Sequence, residues 1–188
     1  MKELIFPRSD RTALLVVDIQ DRLLAAMPQD EVDRMLRHTR VLIELAKAYA
    51  WPVYYTEQYP QGLGSTESSV LELLTSANAT RCEKVEFSCL DNETFASSIL
   101  PRLPSHIVVV GMETHVCVLQ TVLDLQARGY QSFVPEDAVA SRDLRHKANG
   151  LHLMEKAGAV NVNTESIMFN ALGKAGGETF KKLSRLVR

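Results

Sequence analysis

Two runs in this chain, residues 13–17 (Ala-Leu-Leu-Val-Val) and 107–110 (Ile-Val-Val-Val), are apolar at every position. A strand with one wet face alternates apolar and polar residues. A short continuous apolar run therefore belongs to a strand covered on both faces. Such strands occur in parallel sheets, whose crossover helices pack above and below. The spacing between the runs supplies those helices. Strands are predicted over 12–18, 53–56, 82–85, 106–110, 131–134 and 159–162. Helices are predicted over 31–50, 68–74, 94–100, 114–128, 144–156 and 165–172.

The first long helix shows the pattern best: Val32, Met35, Leu36, Leu42, Ile43 and Ala46 recur on one face. Pro52, Pro101 and Gly129 punctuate the ends of elements, and Pro60, Gly62 and Gly64 mark a loop over 59–65. The expectation is one α/β domain over 1–188, three layers α/β/α, with a six-stranded mostly parallel sheet. After Gly176 and Gly177, the residues Phe180, Leu183 and Val187 recur at helical spacing among basic residues. They predict a terminal helix docked on the body or on a partner subunit.

Charge and cysteine content narrow the function. With 21 Lys and Arg against 23 Asp and Glu, the formal net charge is -2. No surface-wide field attracts a polyanion, and 6% aromatic residues give little base-stacking surface, so no nucleic acid partner is expected. The apolar runs are far shorter than a bilayer span, so no membrane partner is expected either. Cys82, Cys89 and Cys117 are odd in number and form no CxxC or Cys/His pattern. That is neither a disulfide framework nor a structural zinc site, and it predicts a reducing, cytoplasmic setting.

Open parallel sheets bind ligands beyond the carboxyl ends of their strands. The polar residues there are Asp18 and Gln20 after strand 1, Glu57, Gln58 and Tyr59 after strand 2, and Lys84 beside strand 3. After strand 4 come Thr114, His115 and Cys117, and after strand 5 come Glu136 and Asp137. Cys117 falls in the first turn of a predicted helix, where the helix dipole favours a thiolate. Lys84 would lower its pKa further, and Asp18 would carry its proton. Each residue alone also has an ordinary role: a packed cysteine, a turn aspartate, a solvated lysine. Cys82 and Cys89 read as packing residues. His115 offers a rival dyad with Cys117, but two positions apart on a helix they face different ways. His38, His106, His146 and His152 read as surface or capping residues.

Three segments carry a resemblance: Ala13-Leu-Leu-Val-Val-Asp18-Ile-Gln20, then Glu83-Lys84 ahead of Phe87-Ser88, then Val110-Gly-Met-Glu-Thr-His-Val-Cys117-Val-Leu-Gln120. In this order the sequence resembles the isochorismatase-like cysteine hydrolase superfamily, over roughly residues 11–172. The resemblance implies a catalytic triad of Asp18, Lys84 and Cys117, with the cysteine attacking a carbonyl to give a covalent intermediate. It implies a cis peptide between Met112 and Glu113, and oxyanion donors at the backbone N–H groups of Glu113 and Cys117. Homo-oligomers, dimers or larger, are also implied.

Nicotinamidases of the superfamily hold a metal near the end of strand 2. Here Gln58 stands in place of the metal-binding aspartate and Pro60 in place of the first histidine, which implies no metal and no cofactor. The segment Thr56-Glu-Gln-Tyr-Pro60 is similar to that of isochorismatase-domain hydrolases of animals, protists and bacteria. Glu57, Gln58 and Tyr59, with Gln20 and Thr114, are then expected to line the pocket. The expected activity is hydrolysis of a small amide, carbamoyl or imide-like substrate. A catalytically silent binding or scaffold protein on the same fold, and a vinyl-ether hydrolase of the isochorismate type, are the alternatives.

Overall fold

Alternate residues of β1 (Thr12–Val17) project to opposite sides of the sheet, and both sets are buried. Leu14 and Val16 join one apolar cluster, and Ala13, Leu15 and Val17 join another. A strand sealed on both faces has no use for polar side chains until it ends, at Asp18. The computed structural model describes residues 5–187.

In chain order the elements are β1, α1 (Gln29–Ala48), β2 (Val53–Gln58), α2 (Ser68–Ser76), β3 (Thr80–Lys84), β4 (His106–Met112), α3 (Leu119–Ala127), β5 (Gln131–Pro135), β6 (Val139–Ala140), α4 (Leu144–Lys156), β7 (Val160–Val162), α5 (Thr164–Leu172) and α6 (Gly177–Ser184). The sheet order is β3-β2-β1-β4-β5-β7, and every pairing is parallel. The two-residue β6 adds a seventh strand, beside the end of β4, where six were expected. Helices α1, α2, α5 and α6 cover one face through Met35, Leu42, Val70, Ile167 and Leu183. The other face is covered by α3, α4 and a π-helical turn at Phe95–Ile99. Of the expected terminal-helix residues, Leu183 is fully buried and Val187 packs on the core.

The chain runs outward from β1 to β3 and then crosses back to place β4 on the other side of β1. The direction of winding therefore reverses between β1 and β4. A crevice opens at the carboxyl ends of strands flanking such a reversal. The two strands approach closely there: a Cβ on Gly111 would lie 2.0 Å from the Val17 carbonyl oxygen, and Gly111 has φ +113°. Only glycine meets both conditions.

Candidate active site

Asp18 leaves β1 in the left-handed region, at φ 52°, a conformation that Asp tolerates better than most residues. The turn aims its carboxyl group back across the strand ends, where two donors meet it. Thr56 Oγ1 on β2 donates to Oδ1 at 2.6 Å, and Lys84 Nζ at the end of β3 donates to Oδ2 at 2.6 Å. The Cys117 thiol lies close enough to feel the charges of both Asp18 and Lys84. The Asp18 and Lys84 side chains have no solvent exposure, and Cys117 retains 6%.

Lys84 spends its remaining N–H groups on Gln58 Oε1 at 2.7 Å and the Glu86 carbonyl at 3.3 Å. Burial works against its charge, but Asp18 and the two nearby thiols Cys89 and Cys117 outweigh it, and the Lys84 pKa is raised. The lysine is therefore a standing ammonium at neutral pH.

Cys117 does not sit in the first turn of an α-helix. Residues Thr114–Val118 form a π-helical turn, with the Val118 N–H donating to the Glu113 carbonyl, and α3 begins only at Leu119. The wider turn carries Cys117 over the end of β1. Its acidity also differs from the expectation of a stabilised thiolate. Burial, and then the Asp18 charge, push the thiol up to about 12, against the lowering effect of Lys84. At neutral pH the thiol of Cys117 is therefore protonated, beside the Asp18 carboxylate.

The Met112–Glu113 peptide bond is cis. The Glu113 carboxylate accepts from the Arg142 N–H at 3.0 Å, which ties this loop to the start of α4. Thr114 is fully buried, and its hydroxyl has no partner among the described residues. His115 turns away from the rival dyad: its Nδ1 pairs with Ser141 Oγ at 3.0 Å, and its ring lies 4.8 Å from that of His146.

The residues expected to line the pocket divide. Gln58 reaches Lys84. Glu57 points to the opposite face of the sheet, where its carboxylate accepts from Thr66 N and Oγ1 at 2.7 Å each and from Arg81 Nε at 2.9 Å. Neighbouring strand residues cannot share a face, which places Glu57 in a structural tie rather than a pocket. Gln20 is also structural. Fully buried, it accepts from the Gln58 N–H at 2.7 Å and donates to the Gln58 and Gly64 carbonyls at 3.0 and 2.7 Å. Tyr59 is half-exposed on the rim. With Pro60, Val85 and Asn92 it lines a cavity of about 240 Å³ that reaches Lys84 but not Asp18 or Cys117. Thr56 was not singled out from sequence. A hydroxyl in a strand buried on both faces needs an acceptor, and the register of β1 on β2 makes Asp18 the nearest one.

Comparison with known proteins sets these observations in context. Residues 12–166 match the family model described as the isochorismatase domain. A protein of Phytophthora sojae named secreted isochorismatase effector Isc1 is 33% identical over 180 residues, covering 94% of this chain and 84% of its own. The solved structure titled MAR1 ribonuclease, from Caenorhabditis elegans, superposes with a TM-score of 0.84 at 31% identity, covering 94% of this chain and 89% of its own. The Escherichia coli YcaC structure, titled an octameric hydrolase of unknown specificity, shares the fold with a TM-score of 0.81. Its identity is 22%, over 88% of this chain and 81% of its own.

Proposed function

The chain belongs to the isochorismatase family, and from that premise we propose that it is a metal-independent cysteine hydrolase of small C–N-bonded substrates. The observation that carries the reading is the contiguous thiol, carboxylate and ammonium of Cys117, Asp18 and Lys84 at the reversal between β1 and β4. In this mechanism Asp18 takes the Cys117 proton as Sγ bonds to the substrate carbonyl carbon. The oxyanion is received by the N–H groups of Glu113 and Cys117. Asp18 returns the proton to the departing nitrogen as the C–N bond breaks, leaving a thioester. Water, giving a proton to Asp18, then attacks the thioester carbonyl; the C–S bond breaks, Asp18 returns the proton to Sγ, and the acid product and the free thiol are released. Lys84 stays charged throughout and offsets whichever of Asp18 and Cys117 is the anion.

The metal-independent part rests on donor chemistry. Gln58 Oε1 is taken by Lys84, and the Pro60 side chain has no ligating atom. The reading includes an assembly of several copies in a reducing cytoplasmic setting. Its supports are the octamer named for the YcaC fold relative and three unpaired cysteines.

A panel of small amides, carbamoyl compounds and imides tests the proposal, with product release and the Cys117 acyl adduct followed by mass spectrometry. Cys117→Ala should abolish turnover and adduct while retaining the circular dichroism of the parent. Unchanged turnover in that variant overturns the mechanism. A second reading, a silent binding protein, draws on the burial of Asp18 and Lys84. Failure of every panel member to acylate Cys117 favours it.

A further inference from the structure

We infer that Gln58 is a positioning residue that supplies Lys84 with a neutral acceptor, so that the ammonium's charge is left to serve Asp18 and Cys117. The inference rests on the triad proposed above and goes beyond it by giving a role to the residue at the end of β2 that shares the Lys84 ammonium with Asp18.

The Lys84 ammonium has three N–H groups and three acceptors: Asp18 Oδ2, Gln58 Oε1 and the Glu86 carbonyl. Only the first is charged. Gln58 is held so that its oxygen, not its nitrogen, faces the lysine. Its Nε2 donates to the Val85 carbonyl at 2.8 Å, just past the end of β3. Turning the amide over would set two donors against an ammonium and lose the Val85 bond. The backbone of Gln58 is held separately, by the two-way clasp of the buried Gln20 amide on its N–H and carbonyl. The side chain can therefore be exchanged without releasing the strand end.

A carboxylate at this position would have the same size and reach. It would place a second anion on Lys84, and the charge that offsets a thiolate at Cys117 would be shared with it. Inside a buried cluster an added anion raises the proton affinity of its neighbours. The amide gives Lys84 the same hydrogen bond at no such cost. Among the described residues, Lys84 hydrogen-bonds to one carboxylate, and the neutral Gln58 keeps it so; the Glu86 carboxylate feels its charge but takes none of its N–H groups.

The experiment compares Gln58→Glu with the parent, with Lys84→Met alongside, by the rate of Cys117 carbamidomethylation with iodoacetamide between pH 7 and 10, read by peptide mass spectrometry. Thermal melts confirm that each protein is folded. The near-isosteric Gln58→Glu, though it loses the bond to the Val85 carbonyl, should remain folded and react about threefold more slowly at every pH in that range, because one pKa unit is a factor of ten in thiolate and the more basic thiolate returns about threefold in nucleophilicity. A folded Gln58→Glu with the parent's rate overturns the inference. If Lys84→Met slows the reaction while Gln58→Glu does not, only the role of Gln58 fails. If neither slows it, the triad reading fails as well. A purely structural role for Gln58 would move the melt and leave the pH profile in place.

Discussion

Replacing Asp18 by Asn should make Cys117 more reactive toward an alkylating agent while abolishing turnover. The two effects have opposite signs because Asp18 raises the proton affinity of the thiol at rest and, in the proposed mechanism, accepts its proton during reaction. With the thiol at about 12, roughly one molecule in 10,000 is ionised at pH 8. Two unit charges 4 Å apart at an effective dielectric of 20 interact by about 4 kcal/mol, or about 3 pKa units. Lys84 lies against the same carboxylate and offsets part of this, so about 2 units is a fair expectation. That gives about 100-fold more thiolate. A less basic thiolate is a weaker nucleophile, with a Brønsted slope of about 0.4–0.5, which returns about tenfold. Alkylation of Asp18→Asn at pH 8 should therefore be about tenfold faster than in the parent. Turnover should fall by about 10²–10⁴, the usual worth of a positioned general base.

The assay is iodoacetamide labelling with peptide mass spectrometry, run cold. The variant leaves the Lys84 ammonium buried without its anion, and that costs about 3–5 kcal/mol of stability. A folded Asp18→Asn protein that alkylates at the parent's rate or slower would refute the reasoning, since the carboxylate would then not be suppressing the thiolate.

Other consequences concern the frame around the site. Gly111→Ala combines a backbone conformation that L residues rarely adopt with a Cβ 2.0 Å from the Val17 carbonyl oxygen. We expect a loss of about 3–6 kcal/mol, read as a lowered urea midpoint; a midpoint within error of the parent's would contradict the close approach of β1 and β4. Burial pushes the Glu57 carboxyl up, but hydrogen bonds from Thr66 and Arg81 outweigh it and hold the group low. Its stabilising share is thus present above the unfolded value of about 4.3 and lost as pH falls through the lower folded value. Glu57→Gln should lower stability at pH 7 and flatten the acid limb of a urea-midpoint profile, and an unaltered limb would exclude the tie to Thr66. Turnover of any Cys117-dependent substrate should be unchanged by a chelator such as EDTA. A chelator-sensitive rate that returns on adding zinc would rule out a metal-independent site.

Much of this was legible in the sequence because burial writes a strong pattern. The continuous apolar runs that became β1 and β4 could belong only to strands covered on both faces, and that set the sheet, its helices and the carboxyl-end location of Asp18, Lys84 and Cys117. What escaped was short or tertiary. A two-residue strand such as β6 has no period to detect. A π-helical turn of five residues differs from an α-helical one by too little in angle for apolar spacing to separate them, so residues 114–128 read as one helix. Glu57, Gln58 and Tyr59 were grouped because β2 was expected to stop at Thr56; as the strand runs to Gln58, the period of two sends Glu57 to the far face. The thiol's acidity was misjudged for a different reason. Helix position and a nearby lysine are visible in sequence, whereas the burial and the Asp18 charge that outweigh them come together only after folding.

The charge pattern of the folded site also bears on what it can accept. Asp18 and Lys84 are an anion and a cation shielded from water, and the Cys117 thiol beside them is neutral. Moving the proton from Cys117 to Asp18 exchanges one anion for another beside the same ammonium, so the net charge of the three is unchanged by that transfer. A buried cluster tolerates that exchange far better than the arrival of a further charge. All three N–H groups of Lys84 are already committed, to Asp18, Gln58 and Glu86. The lysine has no donor left for an anionic group on the reacting part of a substrate. The group attacked should therefore be uncharged at the reacting centre. An amide, a carbamoyl group or an imide meets that condition, and a carboxylate or phosphate at the same position does not.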